Sequence, residues 1–404
     1  MILHHTTSFG ITERRLRGVE RARAAQRRAQ DWLDQAARGG AATAAAPPAG
    51  LVLTGPAAVA WISGGVAPPV DRTASVDLVW AVIGPAGAWL ITTNVEADRV
   101  REEYDPAAHG FSELAVVPWQ SADGFVGAAA NLAGVPPGHL AADGHPAFGY
   151  DVSDDLIALR LALSQADRAD LTDLGADAAR ALQDALAAWR PGERDLDVEA
   201  RCAAGLEQAG ADAPVLIVGG DDRLERYRHP MAAGAAVHRM VMAVAVARRA
   251  GLHVALTRFA AAGPVSPAYR ALRGRVLSIE DAVLGACVPG ASYGTALDTL
   301  SRAYAANGAI TGWIDHYQGG PIGFAQREFE IAPGQSGSRW YAEPVAAGHA
   351  LAWNPSLPGG AKSEDTYLVA DGGGLSRVTQ APGWPVEVND GGRHGRPAVL
   401  EVGR

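Results

Sequence analysis

The stretch "HYQGGPIGFAQREF" (residues 316–329) decides the fold of this chain. Two adjacent glycines and a Pro-Ile-Gly sequence form a turn, with His316 before it and the pair Arg327 and Glu328 after it. Histidine and carboxylate side chains are ligands that divalent metal ions use in proteins. A metal site at this turn would need further ligands from other parts of the chain.

Length and composition describe a globular protein of two domains. The chain has 404 residues, more than the roughly 250–300 residues at which one hydrophobic core stops growing. Apolar residues make up 48% and charged residues 20% of the chain, a balance typical of soluble folded proteins. The net charge of -9 disfavours a polyanion binder, because phosphate contacts need clustered lysine and arginine. We therefore expect no nucleic-acid partner.

Cysteine usage and the apolar runs indicate the compartment. Cys202 and Cys287 are far apart and outside any CxxC spacing, so neither a disulfide framework nor a thiolate metal site is indicated. The N-terminal sequence lacks the apolar stretch of a signal peptide. The longest uncharged run, residues 51–70, is interrupted by glycine and proline and does not read as a membrane helix. We expect a cytoplasmic protein without a membrane partner.

An arginine-rich segment, residues 12–38, is the one local exception to the acidic balance. It predicts a helix that begins at Thr12, a residue type common at helix N-caps. Acidic residues are interspersed among the arginines, and mixed signs on a helix are typical of a solvated face or a protein contact. We interpret the segment in that way.

Periodicity separates the chain into two parts. Short apolar runs bounded by turn residues predict strands in the first part: "LVLTG", "AVAWISG", "VDLVWAVIG" and "AWLITTN". Helical patterns follow them, which is typical of an α/β layer. From residue 164 onward, long amphipathic helices, buried strands and a strand-rich end replace that pattern. We predict one domain over residues 1–163 and a second over residues 164–404.

Five segments occur in an order that indicates a family. They are "WISGG" with "WAVIGPAGAWLITTNVEADRVREEY", then "VLIVGGDDRLERYRHP", "GLHVALTRF", "HYQGGPIG" and "GHALAWNPSLPGGAKSEDTYLV". Together they resemble the pita-bread family of creatinase, Xaa-Pro aminopeptidase and methionine aminopeptidase. The resemblance implies an α/β (α+β) chain: a creatinase-type α/β domain, then a pita-bread domain with a curved, largely antiparallel sheet covered by helices. It also implies a homodimer.

The same resemblance implies where metal ligands would lie. The metallopeptidases of the family bind two divalent ions through two aspartates, a histidine and two glutamates. Those positions correspond here to Val244, Ala255, Gly320, Asn354 and Glu364. Four of the five cannot supply a charged oxygen or an imidazole nitrogen, and one carboxylate cannot hold two metal ions. We therefore expect no metal and no other cofactor.

Loss of the metal does not by itself remove catalysis, since creatinase resembles these peptidases and works without a metal. The resemblance places His229 at the acid/base position and His316 at a histidine that faces the substrate. A neutral imidazole can both accept and donate a proton near pH 7. The alternative for each histidine is a loop residue that only packs.

Glu364 is the third candidate for catalysis. Strand alternation in "SEDTYLV" predicts that Glu364 points inward and Asp365 outward. An inward glutamate without a metal needs a partner, and Arg258, Arg327 and His229 are the plausible ones. A purely structural ion pair is the alternative.

Five residues are candidates for substrate binding: Arg258, Thr257, Arg327, Glu328 and Asn354. In "ALTRF", Arg258 matches an arginine of creatinase and Thr257 replaces a binding glutamate. Arg327, followed by Glu328, suits bidentate recognition of a carboxylate. Asn354 offers an amide that can donate a hydrogen bond to a carbonyl or an oxyanion. The alternatives are a solvated strand end for Arg327 and an Asn-Pro turn for Asn354.

Three functions remain open. The first is a metal-independent hydrolase or lyase acting on a C–N bond of a small amino-acid-like or amide substrate, or of a short peptide. The second is a non-catalytic protein that binds a peptide, a small ligand or a protein partner in the same cleft. The third is a metallopeptidase with rearranged ligands, which the sequence disfavours. The first requires His229, His316 and Glu364 to converge on one cavity.

Overall fold

The computed structural model describes residues 8–39, 47–65, 70–121, 123–388 and 394–403. The chain divides into two compact units. The first consists of Met1–Asp170 with Ala250–Leu252, and the second of Leu171–Arg249 with His253–Arg404. The domain boundary between residues 163 and 164 stays a prediction, because the helix that begins at Gln165 continues from the first unit into the second.

The first unit is an α/β layer, as predicted. Its elements are α1 (Ser8–Gly39), β1 (Gly50–Leu53), α2 (Pro56–Ser63), β2 (Val79–Gly84), β3 (Gly87–Thr93), α3 (Ala97–Arg99), β4 (Glu113–Val117), α4 (Gly124–Ala133), β5 (Leu140–Ala142), β6 (Tyr150–Asp151) and α5 (Ser153–Leu161). Six strands form one mixed sheet in the order β4-β3-β2-β1-β5-β6. Strands β1 and β2 are buried at every position, as a sheet covered on both faces requires.

Two predictions for the first unit need correction. The run "AVAWISG" was predicted as a strand, but it belongs to helix α2, which begins at Pro56 and ends before Gly64 at a φ of 67°. Proline at the first helical position and glycine just past the last are helix signals, and a short apolar run does not distinguish strand from helix. Helix α1 begins at Ser8 rather than at Thr12.

The arginine-rich helix α1 makes an internal contact. Arg21 is buried, and its Nε lies 2.7 Å from Asp167 Oδ1. Arg17 pairs with Asp170 at 2.6 Å in the same unit. The mixed charges of this helix therefore include partners within the fold, which fits the interpretation as a contact surface.

The second unit is built from two four-stranded sheets, two two-stranded sheets and several helices. From the helix that enters it onward, the elements are α6 (Gln165–Ala188), α7 (Asp195–Gln208), β7 (Asp212–Gly220), α8 (Asp222–Arg226), β8 (Met240–Arg249), β9 (Leu252–Ala262), α9 (Pro267–Ala286), α10 (Tyr293–Ala306), β10 (Gly319–Ile322), α11 (Arg339–Ala342), β11 (Ala350–Trp353), β12 (Ser356–Leu357), β13 (Ala361–Lys362), β14 (Asp365–Val369), β15 (Leu375–Arg377), β16 (Val386–Glu387), β17 (Arg396–Pro397) and β18 (Leu400–Val402). The two larger sheets have the orders β18-β9-β8-β7 and β10-β11-β14-β15.

The two larger sheets meet along β9. The Thr257 amide donates to the carbonyl oxygen of Glu364 over 2.9 Å, and the Ala255 amide donates to Thr366 Oγ1 over 2.8 Å. Strand β9 therefore runs beside the start of β14. The sequence predicted one curved sheet, whereas the structure has two four-stranded sheets that contact each other where β9 lies beside the start of β14. This contact positions the site described below.

Local sequence signals explain where the long helices of the second unit begin. Ser266 caps α9 by accepting a hydrogen bond from the amide of Tyr269, and Pro267 follows at the first helical position. Ser292 caps α10 by accepting from the amide of Thr295. Both arrangements satisfy amide groups that a helix N-terminus otherwise leaves unpaired. In the part of the chain that the structure describes, no helix is both long and apolar enough to cross a membrane.

Candidate functional site

A cavity of about 160 Å³ lies beside the turn at residues 316–323. Its walls are formed by Arg228, His229, Asp315, His316, Tyr317, Arg327, Asn354, Ser356 and Lys362. Four residues that the sequence singled out therefore share one cavity: His229, His316, Arg327 and Asn354. A larger groove of about 820 Å³ elsewhere in the second unit contains none of the predicted site residues.

Loops and one short hairpin bring the cavity walls together. Arg228 follows helix α8, and its Nη2 donates to Asp315 Oδ2 over 2.6 Å, which joins two loops that are far apart in sequence. In the hairpin of β12 and β13, Ser356 pairs directly with Lys362. Residues that face each other across an antiparallel pair have neighbouring side chains, so the hairpin sets the serine and the lysine side by side.

Glu364 lies directly behind this wall. It is 6% exposed, its Oε2 forms an ion pair with Lys362 Nζ at 2.9 Å, and the same oxygen accepts a hydrogen bond from Thr257 Oγ1 at 2.8 Å. These partners differ from the arginines and the histidine expected from the sequence. A buried carboxylate needs a cation and hydrogen-bond donors, and the ammonium and the hydroxyl supply both.

The donor set around Glu364 does not suit the divalent metal ions that the metallopeptidases of the pita-bread family bind. Glu364 is bonded to the ammonium of Lys362, and a divalent ion at the same oxygen would be repelled by that charge. The position expected to carry a histidine is Gly320, whose φ of 144° is one that side chains with a Cβ rarely adopt.

The remaining ligand positions do not change this result. Val244 lies in β8, Ala255 lies in β9, and neither has a donor atom in its side chain. Within the described ranges, no group of three or more His, Cys, Asp or Glu side chains is placed to hold a metal ion. The residues present therefore do not fit the dinuclear site that the fold implies.

His316 has a fixed tautomer and a low pKa. Its Nδ1 lies 2.6 Å from the carbonyl oxygen of Tyr317, and its Nε2 lies 2.8 Å from Ser356 Oγ. Burial lowers the pKa of His316 to about 4, and the charges of Arg228 and Lys362 act in the same direction. The Tyr317 carbonyl and the Glu364 carboxylate oppose the shift. The ring is therefore neutral at pH 7 and can accept a proton at Nε2.

His229 lines the same cavity. Burial lowers its pKa below the ordinary value, and the ammonium of Lys362 lowers the pKa further, while the carboxylate of Glu364 partly opposes both. The ring is neutral at pH 7. A neutral imidazole beside a cavity is suited to act as a general base.

Asn354 and Arg327 also lie in the walls, with defined partners. With its amide oriented so that donors face acceptors, Asn354 donates to the carbonyl oxygens of Tyr317 at 2.8 Å and Gln318 at 3.1 Å. The Asn354 nitrogen is therefore used by main-chain carbonyl groups, and it is not the free donor that was expected. Arg327 donates to Glu330 Oε1 over 2.7 Å, and its guanidinium lies 4.9 Å from the centre of the Tyr317 ring.

Arg258 lies outside the cavity. It is 3% exposed, and its Nη2 donates to Asp365 Oδ1 at 2.9 Å and to the Thr379 carbonyl at 2.6 Å. Successive side chains of a strand point to opposite faces, so Arg258 faces away from its neighbour Thr257, which is bonded to Glu364. The geometry does not support Arg258 as a clamp in this cavity.

Glu328 and Thr257 are likewise absent from the walls. Glu328 is buried, and its Oε1 accepts hydrogen bonds from the amides of Phe324 at 2.7 Å and Ala325 at 3.1 Å. This carboxylate closes the loop that follows the glycine turn. Thr257 reaches the site only through its hydrogen bond to Glu364.

Sequence reasoning missed five residues of the walls: Arg228, Asp315, Tyr317, Ser356 and Lys362. One of them carried a readable signal. Lys362 precedes Glu364 by two residues, and strand alternation places such residues on the same side. The other four meet only because the loops after α8 and α10 and the β12–β13 hairpin converge in the folded chain.

The joined sheets, the glycine turn and the cavity beside it define a protein of the pita-bread class. Residues 171–371 match the sequence model of metallopeptidase family M24. This segment, just under half of the chain, is similar to that family.

Solved structures share the fold over nearly the whole chain. The dipeptidase PepE from Mycobacterium ulcerans is 19% identical, with a TM-score of 0.69 over 96% of this chain and 99% of that one. An Xaa-Pro dipeptidase from Bacillus anthracis is 18% identical, with a TM-score of 0.67 over 89% and 98%. The prolidase from Pyrococcus horikoshii is 15% identical, with a TM-score of 0.64 over 90% and 98%. At these identities the likeness establishes the fold alone. A comparison with curated proteins gave no match.

Proposed function

We propose that the protein is a metal-independent hydrolase that cleaves a C–N bond of a small amino-acid-like substrate. The observation that carries the proposal is the cavity in which His229 and His316 lie together beside the ammonium of Lys362. The charge that a metal ion supplies in the related peptidases is here supplied by a fixed side chain. Proton transfer and substrate binding are then carried out by side chains of this protein, without a metal ion.

The charges of the cavity support an anionic substrate. Arg228, Arg327 and Lys362 lie in the walls, and each is ion-paired, with Asp315, Glu330 and Glu364 in turn. Each of these cations has more N–H donors than its ion pair uses, and a substrate carboxylate can accept from them. The volume of about 160 Å³ corresponds to only a few water molecules, given about 30 Å³ for each. A carboxylate attached to a short chain suits both properties.

His229 is assigned the acid/base role. Its neutral ring can take a proton from an attacking water molecule and pass it to the group that departs in that step, which needs no metal. Glu364 has a positioning role, because it holds the ammonium of Lys362 at the wall. Arg327 is assigned to the substrate carboxylate, which a guanidinium can bind through two parallel hydrogen bonds.

A binding protein without turnover is the second candidate. One observation favours it: the Asn354 nitrogen, the donor expected for an oxyanion, is used by main-chain carbonyl groups. The family resemblance implies a homodimer, which is compatible with either candidate function. Sedimentation analysis measures the oligomeric state.

The test is an assay of chelator-treated protein against dipeptides, N-acyl amino acids, guanidino acids and amino-acid amides, with products followed by mass spectrometry. The proposal expects turnover of an anionic member of this panel at a rate that added Mn, Co or Zn does not change. Turnover that appears only with added metal contradicts the proposal. Tight binding without turnover of any member supports the second candidate instead.

A further inference from the structure

Ser356 is placed in the cavity wall with more partners than a packing role needs. It is 8% exposed and lines the cavity. Its Oγ lies 2.8 Å from His316 Nε2 and accepts a hydrogen bond from Arg228 Nη1. Lys362 lies directly opposite it in the β12–β13 hairpin. A serine that only closes a turn does not need a neutral histidine and two cations around its hydroxyl group.

The direction of every hydrogen bond in this group is fixed by chemistry. The carbonyl of Tyr317 can only accept, so Nδ1 of His316 carries the hydrogen and Nε2 is the acceptor. A guanidinium can only donate, so Arg228 gives a hydrogen bond to Ser356 Oγ. The hydroxyl hydrogen of Ser356 must then point to Nε2. The hydrogen bonds therefore all run in one direction, from Arg228 to Ser356, from Ser356 to His316, and from His316 to the Tyr317 carbonyl.

Gln318 does not compete for this nitrogen. Its Nε2 lies 3.3 Å from His316 Nε2, but the same amide donates to the carbonyl oxygens of Trp313 and His316, each at 3.0 Å. A side-chain amide has two N–H bonds, and both are used by those carbonyls. The acceptor lone pair of His316 is therefore left to Ser356.

We propose that Ser356 is a nucleophile and that His316 is its base. The assignment rests on the proposed function for the reaction class and adds the bond-forming atom. Nucleophiles of this kind are recognised by a base within hydrogen-bond reach and by a third group that orients the base. Here the orienting group is the Tyr317 carbonyl. Arg228 and Lys362 stabilise the negative charge that develops on the serine oxygen and on the substrate oxygen.

The step balances without a further reagent. Ser356 Oγ bonds to the carbonyl carbon while its proton passes to His316 Nε2. When the C–N bond breaks, the leaving nitrogen takes that proton, and an ester on Ser356 remains. Water then cleaves the ester, giving the substrate carboxylate and restoring the Ser356 hydroxyl.

The test is covalent labelling with methanesulfonyl fluoride, a reagent small enough for this cavity. Attack by Ser356 forms an O–S bond and breaks the S–F bond, while His316 takes the proton and fluoride leaves. Peptide mass spectrometry of the full chain then locates the label. The proposal expects one label, at Ser356, and its absence in Ser356→Ala. Ser301→Ala, a change in helix α10, is the matched control and keeps the label.

His316→Gln separates activation from mere accessibility. The glutamine keeps a polar group of similar size but cannot act as the base, so the labelling rate of Ser356 should fall about 100-fold or more. Circular dichroism and thermal unfolding verify that the variants are folded. Labelling at another residue, or a rate unchanged by His316→Gln, overturns the assignment. Metal-free hydrolysis that persists in Ser356→Ala also overturns it while leaving the proposed function standing.

Discussion

Two neighbouring charged clusters in the second unit are built from consecutive residues of the same segments. One borders the cavity and the other is buried. Thr257 and Glu364 meet Lys362 at the wall of the cavity. One residue further along both segments, Arg258 and Asp365 form an ion pair. We call the first the cavity cluster and the second the sealed cluster.

In the sealed cluster the buried carboxylate of Asp365 is paired within the protein. Asp365 is 1% exposed and accepts hydrogen bonds from Arg258 at 2.9 Å and from Thr379 Oγ1 at 2.7 Å, with Arg377 at 3.8 Å. The cavity cluster instead ends in an ammonium that faces open space. Thr257 and Arg258 are successive residues of β9 and therefore point to opposite faces. The cavity beside Lys362 has a volume of about 160 Å³, whereas the space beside Arg258 is only about 20 Å³, so a small ligand can reach the first ion pair and not the second.

The largest effect is expected when the chemistry of the cavity is removed. His229→Ala should lower kcat/KM by about 10²- to 10⁴-fold, since general acid/base catalysis contributes that much. The free energy of unfolding should change by less than about 0.5 kcal/mol, because the residue lies in a loop. Steady-state kinetics and urea unfolding measure the two quantities. Unchanged activity would remove His229 from the mechanism.

The next effect concerns the sealed cluster. Arg258→Ala leaves the buried Asp365 without its main cation and should lower the free energy of unfolding by about 3–5 kcal/mol. Urea unfolding measures the loss, and the double variant with Asp365→Asn should recover part of it. A loss below about 1 kcal/mol would contradict the description of the cluster as sealed.

Lys362→Met removes the positive charge of the cavity cluster and leaves the sealed cluster unchanged. Glu364 keeps Thr257 but loses the ammonium, so the free energy of unfolding should fall by about 1–3 kcal/mol. Affinity for an anionic ligand should fall as well, because a cation leaves the wall. Calorimetric titration with small carboxylates compares the variant with Lys362→Arg, which keeps the charge. Equal affinities in the methionine and arginine variants would exclude a role for that charge.

Stability should depend on pH through His316. Its pKa in the folded protein is about 4, below the ordinary value of 6.5, so the unfolded chain takes up the proton first as the pH falls. The contribution is present above pH 6.5 and is lost between about pH 6.5 and pH 4. His349, with a pKa also lowered to about 4 by burial, acts in the same window. His316→Gln should flatten the dependence by about 1–3 kcal/mol, measured by urea unfolding across that range. An identical slope in the variant would contradict the shift.

Arg327→Ala should have the smallest effect on stability. Its ion pair with Glu330 is partly exposed, and such pairs contribute about 0–1 kcal/mol. KM should rise while kcat changes little, because the residue binds substrate in the proposal. Kinetics with Arg327→Lys test the bidentate geometry. A loss confined to kcat would contradict a binding role.

The sequence predicted the turn and most of the strands from local signals, and the two histidines from the resemblance to the family. Glycine pairs, apolar runs and the His229-Pro230 end of a strand-loop segment are visible in a short window. The opposite orientation of Glu364 and Asp365 also followed from alternation, although Asp365 was expected to point outward and is buried. The helix α2 was misread because its apolar run is too short for periodicity to decide.

Local sequence patterns could not predict which side chains contact each other in the cavity. Ser356 and His316 are separated by 40 residues, and Arg228 and Ser356 by 128. Which of their atoms meet depends on loop paths that no short pattern encodes. Lys362 was within reach, since alternation with Glu364 was sufficient to place it.

We propose that the ammonium of Lys362 takes the place of metal ions at Glu364. Elemental mass spectrometry of the purified protein tests this, after exposure to excess Mn, Co and Zn and removal of free metal. We expect far less than stoichiometric metal in the wild-type chain. Stoichiometric metal bound to the wild-type chain would contradict it.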